Sequence, residues 1–208
     1  MAKLILVRHG KSTWNATGQW TGWTDAELNE DGVAEAKRAG EALRDVKIDK
    51  AYVSDLKRAI QTLDYMKETL GDIPTEIDPA LRERSYGIYT GKNKWQVKEE
   101  VGEEEFQRIR RSWDHPIPEG ENLKQVYERV VPYFEKRILP DLKAGKNVLV
   151  SAHGNSLRAL VKRLDNISDE TISELEIGTG EVYIYDFDGE GNIVNKEVRA
   201  SNPNKGKV

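Results

Sequence analysis

The stretch that decides the fold is "LILVRHGKSTWN", residues 4–15. Its first four residues form an unbroken apolar run, which is typical of a strand buried on both faces of a parallel sheet covered by helices. The run leads directly into Arg8, His9 and Gly10 and then into a polar turn. Ligands of parallel sheets bind beyond the carboxyl ends of the strands. A histidine at this position therefore predicts a functional site at this edge of the sheet.

The charge balance limits the classes of partner. Lys and Arg total 32 against 36 Asp and Glu, a formal net charge of −4 over 208 residues, so a general affinity for nucleic acid or an anionic membrane is not expected. The absence of cysteine excludes disulfides and thiolate metal sites and is compatible with a reducing compartment, which favours a cytoplasmic location. No apolar stretch approaches the roughly 18 residues of a membrane span.

Strand and helix patterns alternate after the opening strand. Apolar runs at residues 51–53 and 75–77 predict further strands, and helical periodicity predicts crossover helices within residues 30–47 and 54–71. The segment "NVLVSAHGNS", residues 147–156, repeats the opening pattern of a buried strand, a histidine and a glycine turn. The sequence therefore predicts one α/β domain over residues 1–208, a three-layer sandwich with a mostly parallel central sheet flanked by helices.

The middle of the chain is less regular. Residues 81–94 have no clear period and are interpreted as an ordered loop, a type of segment that often carries function. Residues 103–113 have a helical pattern, and a longer one runs from about Leu123 to Leu142, with a kink expected near Pro132.

Three features close the chain. The helix after His153 is predicted to be capped by Asn155 or Ser156. The alternating segment 181–198 surrounds a glycine-rich turn and predicts a terminal hairpin. Residues from about 201 are expected to form a flexible tail, whose lysines could help to cover a site.

Nitrogen-bearing side chains lie at three strand-to-helix junctions, where they could converge on an anion. An imidazole at His9 can attack phosphorus and carry the group as a phosphohistidine. Arg8, Arg58 and a protonated His153 would then stabilise the phosphoryl oxygens. Glu83 is the candidate carboxyl group that protonates the leaving oxygen and deprotonates the acceptor hydroxyl.

Each histidine taken alone could equally well be a hydrogen-bonded structural residue. Both precede a glycine, Gly10 or Gly154, at which a side chain would obstruct the approach of a phosphate. A zinc site is the rival hypothesis, but cysteine is absent, His115 lies in a proline-rich loop, and the neighbouring arginines repel a cation. We therefore expect a site without metal.

Seven motifs together carry a family resemblance. They are "RHGKSTWN", "TGWTDAELNEDG", "LKRAIQT", "ERSYG", "GKNK", "RRSWD" and "AHGNSLRALVK". In this order they closely resemble the 2,3-bisphosphoglycerate-dependent phosphoglycerate mutases of the histidine phosphatase superfamily, over nearly the whole chain. Arg-His-Gly alone marks only the superfamily, which includes many phosphatases. The resemblance implies interconversion of 2- and 3-phosphoglycerate in glycolysis and gluconeogenesis, primed by phosphate from 2,3-bisphosphoglycerate.

The resemblance also implies residue roles. His9 matches the phosphorylated histidine, Glu83 the proton donor and acceptor, and His153 the second histidine, which stabilises the transition state. Positions of the phosphate pocket are matched by Arg8, Ser12, Asn15, Arg58, Gly154 and Asn155. A substrate-contacting loop is matched by Thr21 and Gly22, and the positions that hold the rest of the substrate by Tyr86, Lys94, Arg110 and Arg111. Cations at the last three positions would suit the carboxylate of a phosphoglycerate.

The chain departs from the family pattern in three places. Lys11 stands where an acidic residue is usual and would add a cation beside the phosphate pocket. Ser85 replaces a side chain that is commonly His or Asp. The segment between Arg111 and Glu121 is shorter than in the longer bacterial relatives, so the oligomeric state stays open.

Competing interpretations follow from these residues. A histidine phosphatase would pass the phosphoryl group from His9 to water and hydrolyse small phosphate monoesters, and a binding protein would hold a phospholigand without turnover. The outer cations Lys94, Arg110 and Arg111 could form a merely solvated surface. Glu83 could form a surface ion pair with a neighbouring arginine.

Overall fold

A six-stranded mixed sheet forms the centre of the computed structural model, which describes residues 1–206. The strands are β1 (Ala2–Arg8), β2 (Lys50–Val53), β3 (Thr75–Ile77), β4 (Val148–Ala152), β5 (Val182–Phe187) and β6 (Ile193–Arg199). The α-helices are α1 (Thr13–Ala16), α2 (Glu30–Glu41), α3 (Lys57–Leu70), α4 (Lys94–Val101), α5 (Glu103–Arg111), α6 (Leu123–Tyr133), α7 (Leu139–Lys143) and α8 (Gly154–Leu164). Within residues 1–206, no helix is both long and apolar enough to cross a membrane.

The strand order across the sheet is β3-β2-β4-β1-β5-β6. The first four strands are mutually parallel, β5 is antiparallel to β1, and β5 and β6 form the predicted terminal hairpin. The predicted α/β sandwich with a mostly parallel sheet is therefore confirmed. Pairing of Arg8 with Ala152 and of Val53 with Ser151 places the carboxyl ends of β1, β2 and β4 at one edge.

Strand β1 is buried on both faces, as its apolar run indicates. Leu4 and Leu6 pack into the core cluster that contains the buried residues of α6 and α8. Ile5 and Val7 pack into the opposite cluster, with residues of α2 and α3. Because successive strand side chains point to opposite faces, a strand between two helical layers needs this continuous apolar sequence.

A third apolar cluster joins α4 and α5 to the segment after α1. Its buried members are Trp20, Val97, Phe106, Ile109 and Ile117. Helix α4 was not predicted, since among its eight residues only Lys94 and Val97 are buried and no apolar stripe results. The helix instead begins at a polar cap, where the side chain of Asn93 accepts backbone N–H bonds.

The predicted long helix from Leu123 to Leu142 is interrupted. Helix α6 ends at Tyr133, one residue after Pro132, and Phe134–Ile138 form a π-helical segment before α7. The N–H of Leu139 bonds to the carbonyl of Phe134, five residues earlier. A wider turn fits here because Pro140 has no N–H and its ring would clash with the carbonyl four residues before it.

The predicted cap of α8 is wrong. The helix begins at Gly154, so Asn155 and Ser156 lie inside its first turn and His153 is the extended N-cap residue. The Ser156 hydroxyl reaches back and accepts the backbone N–H of His153 at 3.1 Å. This arrangement fixes His153 at the junction between β4 and α8.

The flexible tail expected from about residue 201 stays a prediction, although Asn202 contacts the rest of the domain. This side chain is buried, and its Nδ2 donates to Glu35 Oε1 at 2.8 Å and to the Thr179 carbonyl at 2.9 Å. Lys205 forms an ion pair with Glu181 at 3.0 Å. Polar contacts between distant residues, which local sequence does not reveal, hold residues 202–205. Residues 207 and 208 lie outside the described residues.

Candidate active site

His9 directly follows β1 at the carboxyl edge of the sheet. Its backbone N–H donates to the Ala152 carbonyl at 2.9 Å, and its Nδ1 lies 2.6 Å from the carbonyl oxygen of Gly10. A carbonyl oxygen only accepts, so Nδ1 carries the proton and Nε2 keeps its lone pair. Arg58 Nε lies 3.3 Å from Nε2. The backbone thus fixes one tautomer, with Nε2 directed toward the guanidinium.

The surroundings of His9 keep its ring neutral. The residue is 2% exposed. Burial, together with the charges of Arg58 and Arg8, lowers the pKa of His9 well below its usual 6.5. A neutral imidazole is the nucleophilic form, and here the Nε2 lone pair accepts a hydrogen bond from Arg58 Nε.

His153 lies beside His9 and is completely buried. The two ring centroids are 5.0 Å apart. Both ring nitrogens of His153 lack a hydrogen-bond partner among the described residues. Burial and then Arg58 lower the pKa of His153 well below 6.5. Desolvation and nearby cations therefore favour the neutral ring in the protein alone, and protonation of His153 beside a bound phosphoryl group stays a prediction.

Two arginines contribute fixed positive charge. Arg58, in the first turn of α3, is 1% exposed and donates to the carbonyls of Gly22 at 2.7 Å and Thr24 at 2.9 Å. Burial lowers the pKa of Arg58 to about 10, which still leaves it charged at neutral pH. Arg8 donates from Nη1 to the Ile177 carbonyl at 2.5 Å, and its buried Nε has no described partner. These backbone contacts orient the guanidiniums without neutralising them.

Glu83 is buried against the start of α8. Its Oε1 accepts the backbone N–H of Asn155 at 3.1 Å and that of Arg84 at 2.7 Å, and the residue is 7% exposed. The alternative of a surface ion pair is wrong, since Arg82 binds Asp55 and Arg84 donates to the Ile109 carbonyl. Oε2 faces Gly154, where a Cβ atom would lie 3.6 Å away.

Most of the predicted residues line two adjoining cavities that share Arg8, Trp20, Glu83, Tyr86 and Lys94, whereas Gly10, Ser12 and His153 line neither. The inner pocket is lined in addition by His9, Asn15, Gln19, Thr21, Gly22 and Arg58. The outer cavity is lined in addition by Arg110, Arg111, Gly154, Asn155, Arg158, Glu176 and Ile177. The structure thus brings together the residues of widely separated motifs.

The cations of the outer cavity are not a solvated surface. Lys94 is 8% exposed, and burial, followed by the charge of Arg110, lowers the pKa of Lys94 to about 7. Arg110 places its guanidinium carbon 5.4 Å from the Phe106 ring centroid, and burial lowers its pKa. Arg111 forms an ion pair with Glu176. Concentrated, poorly hydrated positive charge of this kind favours an anionic ligand.

The two glycines that follow the histidines have different surroundings. A Cβ atom on Gly10 would lie 2.2 Å from the carbonyl oxygen of Gly32, so this glycine is required by its contact with α2. The contact with α2 alone requires a glycine, and a further role of Gly10 beside a phosphate stays a prediction. A Cβ atom on Gly154 would lie 3.5 Å from Arg8 in the wall of the outer cavity, where such a role remains available.

Some predicted residues act indirectly or face elsewhere. Ser12 lines neither cavity; its hydroxyl caps α1 by accepting the N–H of Asn15. Thr21 in the inner pocket is buried, with no described partner for its hydroxyl. Lys11 does not add a cation to the pocket, since it pairs with Asp31 at 3.2 Å on another surface. The Ser85 N–H donates to Glu121, and Ser85 lines neither cavity.

Sequence interpretation missed several residues that line the cavities, among them Gln19, Arg158, Glu176 and Ile177. Trp20 lines both cavities and is also a member of the third apolar cluster. Arg158 lies on a helix whose other residues are mostly apolar, and its two Nη atoms bind the Asn155 side chain and the Arg111 and Ile172 carbonyls. An arginine between the apolar residues Leu157 and Ala159 of this helix was the one available signal.

Comparisons with known proteins agree with this geometry. Residues 4–198 match the model of the histidine phosphatase superfamily (branch 1). A 2,3-bisphosphoglycerate-dependent phosphoglycerate mutase of Parvibaculum lavamentivorans is 47% identical, over 94% of this chain and 95% of that protein. One of Lactobacillus johnsonii is 43% identical, over 95% of this chain and 98% of that protein.

Solved structures agree on the fold. Bacillus stearothermophilus YhfR has a TM-score of 0.84 and 25% identity, covering 97% of this chain and 98% of that one. A mycobacterial glucosyl-3-phosphoglycerate phosphatase has a TM-score of 0.82 and 24% identity, covering 97% and 100% of the two chains, which is evidence for the fold alone. By its sequence matches and its shared architecture, the chain belongs to the 2,3-bisphosphoglycerate-dependent phosphoglycerate mutases, within branch 1 of the histidine phosphatase superfamily.

Proposed function

We propose that the protein interconverts 2-phosphoglycerate and 3-phosphoglycerate through a phosphohistidine on His9, primed by 2,3-bisphosphoglycerate. The observation that carries the proposal is the state of His9: neutral, buried, with Nδ1–H bound to the Gly10 carbonyl and Nε2 facing Arg58. Similarity to named mutases at 43–47% identity over most of the chain supports the substrate assignment.

In the first step, Nε2 of His9 forms a bond to phosphorus as the bond between phosphorus and the ester oxygen breaks. Arg8, Arg58 and His153 surround the transferring group, and the unpartnered nitrogens of Arg8 and His153 suit its equatorial oxygens. The two free ring nitrogens of His153 fit this role, since one can donate to a phosphoryl oxygen once the dianion favours its protonation.

Glu83 handles the proton at the reacting oxygen. As the ester bond breaks, its carboxyl group gives a proton to the leaving hydroxyl oxygen; when phosphate returns to an acceptor hydroxyl, the carboxylate takes that proton. The two backbone N–H bonds to Oε1 hold the group in place and leave Oε2 directed toward the cavity near Gly154.

The outer cavity holds the remainder of the ligand. Lys94, Arg110 and Arg111 would bind the carboxylate of a monophosphoglycerate and the additional phosphate of 2,3-bisphosphoglycerate. This donor set fits a compound with several anionic groups. Retention there would allow the ligand to turn before the phosphoryl group on His9 is exchanged between the two hydroxyl positions.

The test supplies 3-phosphoglycerate with and without trace 2,3-bisphosphoglycerate and measures 2-phosphoglycerate and free phosphate together. Isomer formation that depends on the primer and is lost in His9→Ala would support the proposal. The matched control is His115→Ala, because His115 contacts Glu105 outside both cavities.

Hydrolysis of small phosphate monoesters is the alternative that this site also permits. Water in place of a sugar-acid hydroxyl would take the phosphoryl group from His9. Phosphate release without isomer formation would select this alternative and contradict the mutase assignment.

A further inference from the structure

A carboxylate lies among the cations of the outer cavity. The charged residues that line it are Arg8, Lys94, Arg110, Arg111, Arg158, Glu83 and Glu176. Glu83 already has a role at the reacting oxygen. Glu176 has none in the proposed reaction, although a negative charge in an anion site opposes ligand binding.

Glu176 is directed at the cations rather than at solvent. Its Oε2 pairs with Arg111 Nη2, and the side chains of Glu176 and Arg111 are only 23% and 17% exposed. Its charge also reaches Arg110 and Arg158: burial and Arg111 lower the pKa of each of these guanidiniums, whereas Glu176 raises it. The Glu176 carboxylate therefore interacts electrostatically with three of the arginines around the cavity.

The ligands of the proposed reaction differ in the charge that they place there. When one phosphate occupies the inner pocket, a monophosphoglycerate leaves only its carboxylate for the outer cavity. A bisphosphoglycerate leaves a carboxylate and a second phosphate. Because Coulomb repulsion grows with the product of the charges, Glu176 opposes the second ligand more strongly than the first.

We propose that Glu176 is a specificity-determining residue that weakens retention of bisphosphoglycerate relative to monophosphoglycerate by occupying Arg111. The proposal rests on the proposed function. A ligand group reaches Arg111 by displacing or sharing the Glu176 carboxylate. The backbone carbonyl of the neighbouring residue, Ile177, accepts a hydrogen bond from Arg8. Displacement of Glu176 would therefore also affect the position of the Arg8 guanidinium, which lines the inner pocket.

The experiment measures binding without turnover. Isothermal titration of 3-phosphoglycerate and of 2,3-bisphosphoglycerate is carried out on His9→Ala and on His9→Ala combined with Glu176→Gln, Glu176→Asp or Glu174→Gln. Glu174 is exposed two residues away and serves as the matched control. Thermal unfolding of each variant verifies that it is folded.

We expect Glu176→Gln to lower the Kd for 2,3-bisphosphoglycerate by on the order of tenfold and that for 3-phosphoglycerate by about twofold to threefold. Glu176→Asp keeps the charge, so it and the Glu174→Gln control should bind like the parent.

Equal changes for both ligands, or none, would overturn the role of Glu176 while leaving the mutase assignment intact. Failure of the parent to bind either ligand would overturn both proposals. Should Glu176→Gln be unfolded, Glu176→Ala, which also removes the charge, is measured in its place: a larger gain in affinity for 2,3-bisphosphoglycerate than for 3-phosphoglycerate supports the proposal, and an equal gain or none overturns it.

Discussion

The inner pocket and the outer cavity hold their charges in different ways. In the inner pocket, backbone carbonyls at the ends of β1 and in the adjoining loops orient His9 and Arg58. In the outer cavity, Lys94 and Arg111 come from α4 and α5, and Arg111 is held by another side chain, Glu176. Backbone contacts suit chemistry that needs a fixed geometry, whereas side-chain pairs can exchange partners when a ligand arrives.

The largest effect is expected from removing the nucleophile of the inner pocket. His9→Ala should abolish both isomer formation and phosphate release, by on the order of 10⁴-fold or more, because no other described group offers a lone pair at that position. Steady-state assays of both products provide the measurement. Normal turnover in a folded His9→Ala protein would remove His9 from the mechanism.

Glu83→Gln should slow transfer by about 10²- to 10⁴-fold with little change in KM, since the amide keeps the shape but cannot exchange the proton. A nitrophenyl phosphate serves as the control substrate because its leaving group needs no protonation. Its rate of phosphate release in the variant should decrease much less. An equal loss with both substrates would mean that Glu83 positions the phosphate rather than moving a proton.

The outer cavity should produce a pH dependence. The pKa of Lys94 is lowered to about 7, so its ammonium is charged below that pH and neutral above it. If the charged form binds the ligand, kcat/KM should fall by about fivefold between pH 7 and pH 8, and by about tenfold for each further pH unit. Because the pKa of His9 is lowered well below 6.5, protonation of this nucleophile should reduce kcat/KM only in the acid part of the pH range.

Two variants separate Lys94 from other titrating groups. Lys94→Arg should flatten the decline, because an arginine remains charged throughout this range. Lys94→Met should show low kcat/KM at every pH. A decline that persists unchanged in both variants would assign it to another group and would contradict the role of Lys94.

The smallest effect is expected behind the inner pocket, at Thr62. Its hydroxyl accepts the Gly10 N–H at 3.0 Å and donates to the Arg58 carbonyl at 2.7 Å. Thr62→Val leaves a buried N–H without a partner, so the free energy of unfolding should decrease by about 1–3 kcal/mol. Urea unfolding measures this change, with Thr62→Ser, which keeps the hydroxyl, as the control. Equal stability of the two variants would show that the hydroxyl bond contributes nothing.

The contrast between the inner pocket and the outer cavity also explains which site residues could be predicted from the sequence. Strand-end positions follow from local patterns, so His9, Arg58 and His153 could be assigned to one edge from the sequence alone. The outer residues Lys94 and Arg111 depended on the family resemblance, because α4 has no apolar stripe that would reveal its packing.

The features that the sequence did not reveal arise from contacts between distant residues. Gly10 is constrained by Gly32, a backbone approach across 22 positions that no local pattern encodes. Glu176 was missed because its partner, Arg111, is on another element. Asn202 likewise makes its bonds to Glu35 and Thr179 rather than to its own neighbours. Such polar contacts between separate segments are specified by the tertiary structure and not by periodicity.

The most direct test of the central claim is to map covalent phosphate after brief exposure of the protein to 2,3-bisphosphoglycerate. Alkaline quenching preserves a phosphohistidine, and peptide mass spectrometry with ³¹P NMR locates it. We predict a single phosphorylated histidine, His9, modified at Nε2, with no phosphate on His153 or His115. Phosphate on another residue, or continued primer-dependent turnover with no phosphohistidine formed, would contradict the account.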